Sequence, residues 1–124
     1  MTKLLHPEIT YKIIGASLSV YNSLGHGFLE KVYKAALERE FRLKQIAFER
    51  EVRYEVWYKG FKLKHEFYAD FVVENSVILE VKSSEMLHEA HIAQTLNYLK
   101  VSGCRVGLLV NFAADRLVYK RVVL

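Results

Sequence analysis

Two carboxylates and one lysine lie in an otherwise apolar stretch near the middle of the chain. Asp70 precedes the apolar run 71–73, and Glu80 and Lys82 follow the apolar run 77–79. Charged side chains are costly to bury unless they pair with one another or bind a cation. Because carboxylate oxygens are ligands that Mg²⁺ and Mn²⁺ prefer, the stretch predicts either a divalent-cation site or a structural ion-pair cluster.

The stretch 68–82 is predicted to form two strands joined by a tight turn at 74–76. Its apolar runs are rich in β-branched residues, and Asn and Ser are common in turns. Antiparallel strands about that turn bring Asp70 and Glu80 to the same end of the hairpin. Because side chains alternate across a strand, Glu80 and Lys82 share one face and Val81 points to the other.

This arrangement predicts a set of ligands and one amine beside them. Asp70, Glu80 and the backbone carbonyl of Val81 are the predicted ligands of Mg²⁺ or Mn²⁺, which neutralises a phosphate and acidifies a bound water. Lys82 is predicted to orient or deprotonate that water, or to stabilise charge on the phosphate. The chemistry that needs this equipment is phosphodiester hydrolysis.

Gln94 and Tyr98 are further candidates, on a predicted helix that follows the hairpin. They are four residues apart, so they lie on one face of that helix. We expect them to steady the water, Lys82 or the scissile phosphate. The alternative is a core tyrosine with an unrelated glutamine beside it.

Glu30 is the earliest candidate along the chain. It lies in the first turn of a predicted helix, 28–44, beside the apolar stripe of that helix. A carboxylate is favourable at the positive end of a helix dipole. The residues alone therefore leave a structural role and a role in the site open for Glu30.

The elements that position these residues follow from the spacing of apolar residues. Helices are predicted at 7–24, 28–44 and from Ser83 or Ser84 to about Val101. Strands are predicted at 51–58, 61–73, 77–82, 105–111 and 117–123. The predicted class is α/β, a single domain over 1–124 with a mixed sheet, flanking helices and the order α-α-β-β-β-α-β-β. The third helix is predicted to connect two parallel strands.

Composition limits the class of protein. The chain has 124 residues, a net charge of +4 and a single cysteine, Cys104, so it forms no internal disulfide. The cysteine count favours a reducing compartment, and residues 1–8 have no signal-peptide pattern. No apolar run is long enough to span a membrane. We therefore expect a cytoplasmic protein. We do not expect a zinc site, because His65, His88 and His91 lack the spacing of zinc ligands.

A basic rim is predicted on the first two strands. Arg53, Lys62 and Lys64 fall at positions that alternate with apolar residues, and Trp57 and Tyr58 lie between them. Lysines on an edge strand protect a sheet from aggregation. The functional alternative is contact with the phosphate backbone of a nucleic acid.

Together these residues resemble the PD-(D/E)xK nuclease superfamily, whose fold is restriction-endonuclease-like. The resemblance lies in the order of Glu30, Asp70, Glu80-Val81-Lys82 and Gln94-x-x-x-Tyr98. Residues 27–33 read G-x-x-E-x-x-Y, and with the run G-L-L-V-N-F at 107–112 the chain is similar to the small prokaryotic GxxExxY proteins. The one departure is Ala69, which stands where the superfamily motif has proline. Proline has no chemical role at that position, so the departure does not weaken the resemblance.

The resemblance implies an α-β-β-β-α-β core, with Glu30, Asp70, Glu80, Lys82 and Gln94 in the site. It favours a site role for Glu30. We expect a Mg²⁺- or Mn²⁺-dependent nuclease that acts on DNA without strong sequence specificity, since 124 residues leave no room for a recognition domain. A homodimer would supply the second active site needed to cut a duplex. The alternative is a nucleic-acid-binding or protein-interaction module that keeps the fold without turnover.

Overall fold

A computed structural model describes residues 5–124, so residues 1–4, part of the stretch considered above for a signal peptide, lie outside the described residues. The helices are α1 (Pro7–Leu24), α2 (Glu30–Leu43) and α3 (Glu89–Ser102). The strands are β1 (Phe48–Tyr58), β2 (Phe61–Val73), β3 (Val77–Lys82), β4 (Val106–Phe112) and β5 (Leu117–Val123). The predicted order is confirmed, and it is that of a restriction-endonuclease-like fold.

The five strands form one mixed sheet in the order β1-β2-β3-β4-β5. Neighbouring strands are antiparallel except β3 and β4, which run parallel with Val77 beside Val106 and Lys82 beside Asn111. A parallel pair needs a crossover connection, and α3 provides it. The prediction of a parallel unit inside a mixed sheet is therefore confirmed.

Helices cover both faces of the sheet. One core lies beneath α1 and α2; its largest members are Ile13, Tyr33, Leu37, Phe41, Phe71, Leu79, Leu108 and Phe112. A smaller core lies between α3 and the other face, with Val72, Ile78, Tyr98, Leu99 and Leu109. All seven residues of β4 are buried, as expected for a central strand covered on both sides.

The ends of the first helix follow its sequence, whereas α3 begins later than predicted. Pro7 opens α1 and Gly25 ends it with a φ of 68°. Ser84 does not cap α3, because its backbone N–H and C=O both bind the side-chain amide of Asn111, each at 3.0 Å. This contact holds the preceding loop in place, and the helix starts at Glu89 instead.

Strands β1 and β2 change faces together at the level of Asp70. Phe71 packs in the core beneath α1 and α2, whereas Ala69 packs in the core beside α3. Regular alternation would place both residues on one face of the sheet. In β1, Arg50 pairs with Phe71 and Val52 pairs with Ala69, so Glu51 lies opposite Asp70. Glu51 has a φ of 54°. The irregular backbone at Glu51 coincides with the change of faces.

The first two strands continue beyond the rest of the sheet as a two-stranded extension, residues 52–69, called here the hairpin arm. Within it β1 and β2 pair from Val52 opposite Ala69 to Tyr58 opposite Phe61. β3 pairs only with residues 71–73 of β2. The arm rests on α3 at its base, where the rings of Phe67 and Tyr98 meet edge to face with centroids 5.7 Å apart.

No helix within residues 5–124 combines the length and the apolar character needed to cross a bilayer.

Candidate active site

Asp70 and Glu80 lie side by side on neighbouring strands, as the hairpin predicts. β2 and β3 pair up to Phe71 opposite Leu79, and the next residue on each strand is one of the two acids. Asp70 is 8% exposed and Glu80 is 3% exposed. The register set by the turn therefore brings two carboxyl groups together inside the protein.

Both oxygens of Asp70 are engaged. Oδ2 accepts a hydrogen bond from the backbone N–H of Val81 at 2.8 Å. Oδ1 accepts one from the ammonium of Lys34, on α2, at 3.1 Å. A backbone donor and a cation on opposite sides hold the carboxylate of Asp70 in one orientation.

Glu80 is less well satisfied than Asp70. Its Oε2 accepts a hydrogen bond from the backbone N–H of Asp70 at 3.2 Å. Its Oε1 is buried and has no hydrogen-bond partner within residues 5–124. Burial, and then the adjacent carboxyl group of Asp70, raise the pKa of Glu80 well above its usual range. A buried carboxyl group with one unpartnered oxygen is suited to bind a proton or a cation.

Lys82, Gln94 and Tyr98 line the α3 side of the site. The ammonium of Lys82 donates to Oε1 of Gln94 at 3.4 Å. Tyr98 is 7% exposed, and burial followed by the negative charges of Glu80 and Asp70 raises the pKa of its hydroxyl. Of the three partners expected for Gln94, a water, Lys82 or the phosphate, the structure shows a contact with Lys82. Tyr98 is both a core residue and a neighbour of the two acids.

Glu30 is the first residue of α2 and is partly buried. Burial, and then the positive charges of Lys82 and His88, lower the pKa of His91, whereas the charge of Glu30 acts on it in the opposite sense. The charge of Glu30 thus acts on His91, a residue of α3. In the described part of the chain no hydrogen bond joins Glu30 to Asp70 or Glu80.

Tyr33, the last residue of the G-x-x-E-x-x-Y run, positions the start of α2. Its ring is buried and stacks on Phe112 with centroids 4.1 Å apart. Its hydroxyl donates to the carbonyl of Gly25 at 2.7 Å and accepts from the backbone N–H of Phe28 at 3.3 Å. These bonds secure the short connection that leads to Glu30.

Lys34 and Glu51 are site neighbours that sequence reasoning missed. The ammonium of Lys34 is 3.1 Å from Asp70 and 3.4 Å from Glu51. Burial alone would lower the pKa of Lys34, but these two carboxylates raise it above its ordinary value. The available signal was spacing, because Lys34 lies one helical turn after Glu30 and shares its side of α2.

A divalent cation fits this site through few protein ligands. Residues 5–124 contain no group of three or more His, Cys, Asp or Glu side chains placed to hold a metal ion. The fit rests on the unpartnered oxygen of Glu80 beside Asp70. Mg²⁺ commonly uses one or two carboxylates and keeps several waters, so two acids and a backbone carbonyl suit it.

The histidines His88 and His91 lie at the N-terminus of α3 and form its cap. Nδ1 of His91 accepts a hydrogen bond from the backbone N–H of His88.

The predicted basic rim is largely compensated by acids. The guanidinium of Arg53 contacts Glu55 and Glu66, each at 2.8 Å. The ammonium of Lys62 lies 3.2 Å from Glu66 and 3.5 Å from Glu55. Lys64 is exposed. A phosphate at this face would therefore compete with existing ion pairs for Arg53 and Lys62.

Comparison with known proteins gives a family and a structural neighbour. A family model described as the PD-(D/E)XK nuclease superfamily matches residues 7–122. A solved structure titled "Crystal structure of SSO0001" is similar, with a TM-score of 0.62 and 20% sequence identity. The similarity covers 95% of this chain but only 57% of that chain. Similarity at this level of identity concerns the fold, and no curated protein matches the sequence.

Proposed function

The chain belongs to the PD-(D/E)XK nuclease superfamily, and we propose that it hydrolyses phosphodiester bonds in DNA with Mg²⁺ or Mn²⁺. One observation carries the proposal. Two buried carboxyl groups lie together, and Oε1 of Glu80 lacks a partner within residues 5–124. A purely structural cluster would be expected to satisfy such an oxygen. Within the superfamily, the G-x-x-E-x-x-Y run favours the GxxExxY proteins.

Asp70, Glu80 and the carbonyl of Val81 are the proposed metal ligands. The N–H of Val81 points to Oδ2 of Asp70. In a strand the N–H and C=O of one residue point to the same side, so the carbonyl of Val81 faces the side of Asp70. When bound, the cation would neutralise the phosphate and lower the pKa of a water.

Lys82, Gln94, Tyr98 and Glu30 complete the proposed site. Lys82 shares the face of Glu80 and would hold the attacking water or the charge of the phosphate. Gln94 fixes the ammonium of Lys82. The raised pKa of Tyr98 keeps its hydroxyl protonated, so it remains a hydrogen-bond donor. Glu30 would orient either the ammonium of Lys82 or a water.

The substrate contacts are proposed from the hairpin arm. Arg53, Lys62 and Lys64 would contact the phosphate backbone, which confers affinity without sequence preference. Homodimerisation would place a second site against the other strand of a duplex. The single cysteine supports a cytoplasmic location.

Cleavage assays with matched variants test the proposal. Linear and circular duplex DNA, single-stranded DNA, a four-way junction and RNA would be incubated with Mg²⁺, Mn²⁺ or EDTA. We expect metal-dependent cleavage that is lost in Lys82→Ala and Glu80→Ala and retained in Glu49→Ala, an exposed acid of β1. Absence of cleavage from every substrate, or equal cleavage by all three variants, would contradict the proposal.

A second candidate function is binding of nucleic acid without turnover. The observation that favours it is the exposed aromatic group on the hairpin arm, where Trp57, Tyr58 and Phe61 are 61%, 59% and 76% exposed. Aromatic rings interleaved with lysines suit single-stranded nucleic acid. Binding of this kind should survive EDTA and Lys82→Ala, whereas cleavage should not.

A further inference from the structure

His91 is a half-buried polar side chain near the start of α3. It precedes Gln94 by three residues, and residues at this spacing are neighbours on one side of a helix. Gln94 contacts the ammonium of Lys82, the last residue of β3. Because α3 leads from the end of β3 back to the start of the parallel strand β4, its first turn lies at the end of the sheet that carries Lys82. His91 is therefore a neighbour of the proposed site.

The cap of α3 fixes one edge of the imidazole ring of His91. Its Nδ1 accepts a hydrogen bond from the backbone N–H of His88 at 3.2 Å. A ring nitrogen that accepts a hydrogen bond carries no proton, so in the neutral ring the proton is on Nε2. Within residues 5–124 the ring makes no hydrogen bond other than the one to His88. Nε2–H, on the other edge of the ring, is therefore a free donor in a fixed tautomer.

His91 and Lys82 together present hydrogen-bond donors at this end of the sheet. Burial, and then the positive charges of Lys82 and His88, lower the pKa of His91, and only the charge of Glu30 raises it among the described residues. The ring is therefore neutral near pH 7, and its Nε2–H is not engaged by Glu30. An ammonium beside an imidazole N–H suits a group that offers only acceptor oxygens. A phosphodiester is such a group.

We propose that Nε2–H of His91 donates a hydrogen bond to a phosphate oxygen of the nucleic-acid substrate, beside the ammonium of Lys82. The inference rests on the proposed nuclease function, which brings a phosphodiester to Lys82. His91 is then a substrate-binding residue. Because the bond to His88 orients the ring before the substrate arrives, little side-chain freedom is lost on binding. A contact with phosphate adds affinity and fixes the position of the strand without sequence preference.

Imidazole NMR resonances of the full-length protein test this contact directly. Wild-type protein labelled with ¹⁵N-histidine would be titrated over pH in EDTA and in Ca²⁺. The titration would be made without ligand, with a short DNA in single-stranded and duplex form, and with inorganic phosphate. A nearby anion favours the protonated ring, so we expect bound DNA to raise the pKa of His91 by about 0.5 to 1. His6 is the internal control, because it lies with Asn75 at the opposite end of β3, and its resonances should not respond to DNA.

Asparagine and glutamine at position 91 separate the two edges of the ring. In His91→Asn the amide oxygen can replace Nδ1 as the acceptor in the cap, but no donor replaces Nε2–H. In His91→Gln the longer side chain can bring an amide N–H to the place of Nε2. We expect His91→Asn to weaken DNA binding about five- to thirtyfold and His91→Gln to weaken it less than about threefold, as measured by anisotropy of labelled DNA. The control is His6→Asn, because asparagine tolerates the φ of 51° at His6. It should bind DNA like the wild type, and thermal unfolding should show that all three variants fold.

Several results would overturn the proposed contact. They are His91 resonances that do not respond to DNA, a response to inorganic phosphate without a response to DNA, and wild-type binding by His91→Asn. Equal losses of affinity in His91→Asn and His91→Gln would overturn it as well, because they would leave His91 with its role in the helix cap alone. None of these measurements requires turnover, so a protein without nuclease activity would still decide them.

Kinetics distinguish the contact from the nuclease proposal wherever DNA is cleaved. His91→Asn should then raise KM and change kcat little, because the contact holds the substrate and the transition state alike. Cleavage with an unchanged KM in His91→Asn would overturn the role of His91 and leave the nuclease proposal intact.

Discussion

Replacing Glu80 with Gln should stabilise the metal-free protein and abolish its response to Mg²⁺ or Mn²⁺. Glu80 is 3% exposed, and burial together with Asp70 raises its pKa. In the unfolded chain the same carboxyl group ionises at its ordinary pKa. At neutral pH the folded protein therefore retains a proton that the unfolded chain has lost. A glutamine has nearly the same shape and never ionises, so it removes this difference.

The sign and size of the effect follow from proton linkage. Where the folded state binds more protons than the unfolded state, the free energy of unfolding falls as pH rises. The contribution of Glu80 to the free energy of unfolding is complete below its ordinary pKa. It is lost as the pH rises from that value to the raised pKa of the folded state. One fully retained proton corresponds to about 1.4 kcal/mol per pH unit. Between about pH 6 and about pH 8 we expect Glu80→Gln to gain about 1 to 2.5 kcal/mol over the wild type.

Urea unfolding in EDTA across that pH range measures the effect. The control is Glu49→Gln, which makes the same chemical change at an exposed position of β1 and should follow the wild type. Adding a cation at ten times its dissociation constant should stabilise the wild type by about 1.4 kcal/mol. Glu80→Gln should lose that gain, because a neutral amide is a poor ligand for Mg²⁺.

Three outcomes would refute parts of this reasoning about Glu80. If Glu80→Gln were less stable than the wild type at every pH, the carboxyl group would be a satisfied structural partner. If the difference between the two proteins did not grow with pH, the pKa of Glu80 would not be raised in the folded state. Retention of the metal-dependent stabilisation would remove Glu80 from the ligand set.

Three further predictions concern the surroundings of the site. Lys34→Met should tighten Mn²⁺ binding about 5- to 30-fold, as measured by calorimetry. The reason is that Mn²⁺ would no longer compete with the partly buried ion pair between Lys34 and Asp70, which is worth about 1–2 kcal/mol. Weaker binding in this variant would instead mean that Lys34 holds Asp70 in place for the metal. Tyr33→Phe should lower the free energy of unfolding by about 1–3 kcal/mol, since two backbone groups lose their partner, and unchanged urea unfolding would contradict this. Gly107→Ala should destabilise by about 1–3 kcal/mol, because the added Cβ would lie 2.7 Å from Thr95; a fully stable variant would mean that α3 shifts freely.

The element order and the pairing of the two acids could be predicted because they depend on local patterns. Apolar spacing distinguishes helices from strands, and the turn at 74–76 fixes which residues of the hairpin meet. Asp70 and Glu80 come together as a direct result. No information from distant parts of the chain is needed for these steps.

The start of α3 could not be predicted because a distant residue decides it. Ser83 and Ser84 have the side chains of helix caps. Asn111, on β4, binds both backbone groups of Ser84 and keeps the segment out of the helix. A tertiary contact between residues 27 positions apart therefore outweighs the local preference.

Lys34 was missed for a similar reason, since its contact depends on the backbone of a strand. In a regular sheet the side chain of Asp70 would lie on one face only. At Asp70, however, the core-facing side chains of β1 and β2 change from one face of the sheet to the other. Glu51, opposite Asp70, adopts a left-handed φ of 54° there. Asn and Asp tolerate that region better than Glu, so nothing in the sequence indicates the irregularity.

The change of faces also explains how the pair of acids contacts helices on both faces of the sheet. Asp70 contacts Lys34 of α2, and Glu80 lies on the α3 side with Lys82 and Tyr98. Without metal, the ammonium of Lys34 and a proton on Glu80 supply two positive charges to the pair of acids. A divalent cation carries the same charge. In the proposed site, exchange of a proton and a lysine contact for one divalent cation would therefore leave the buried charge balanced.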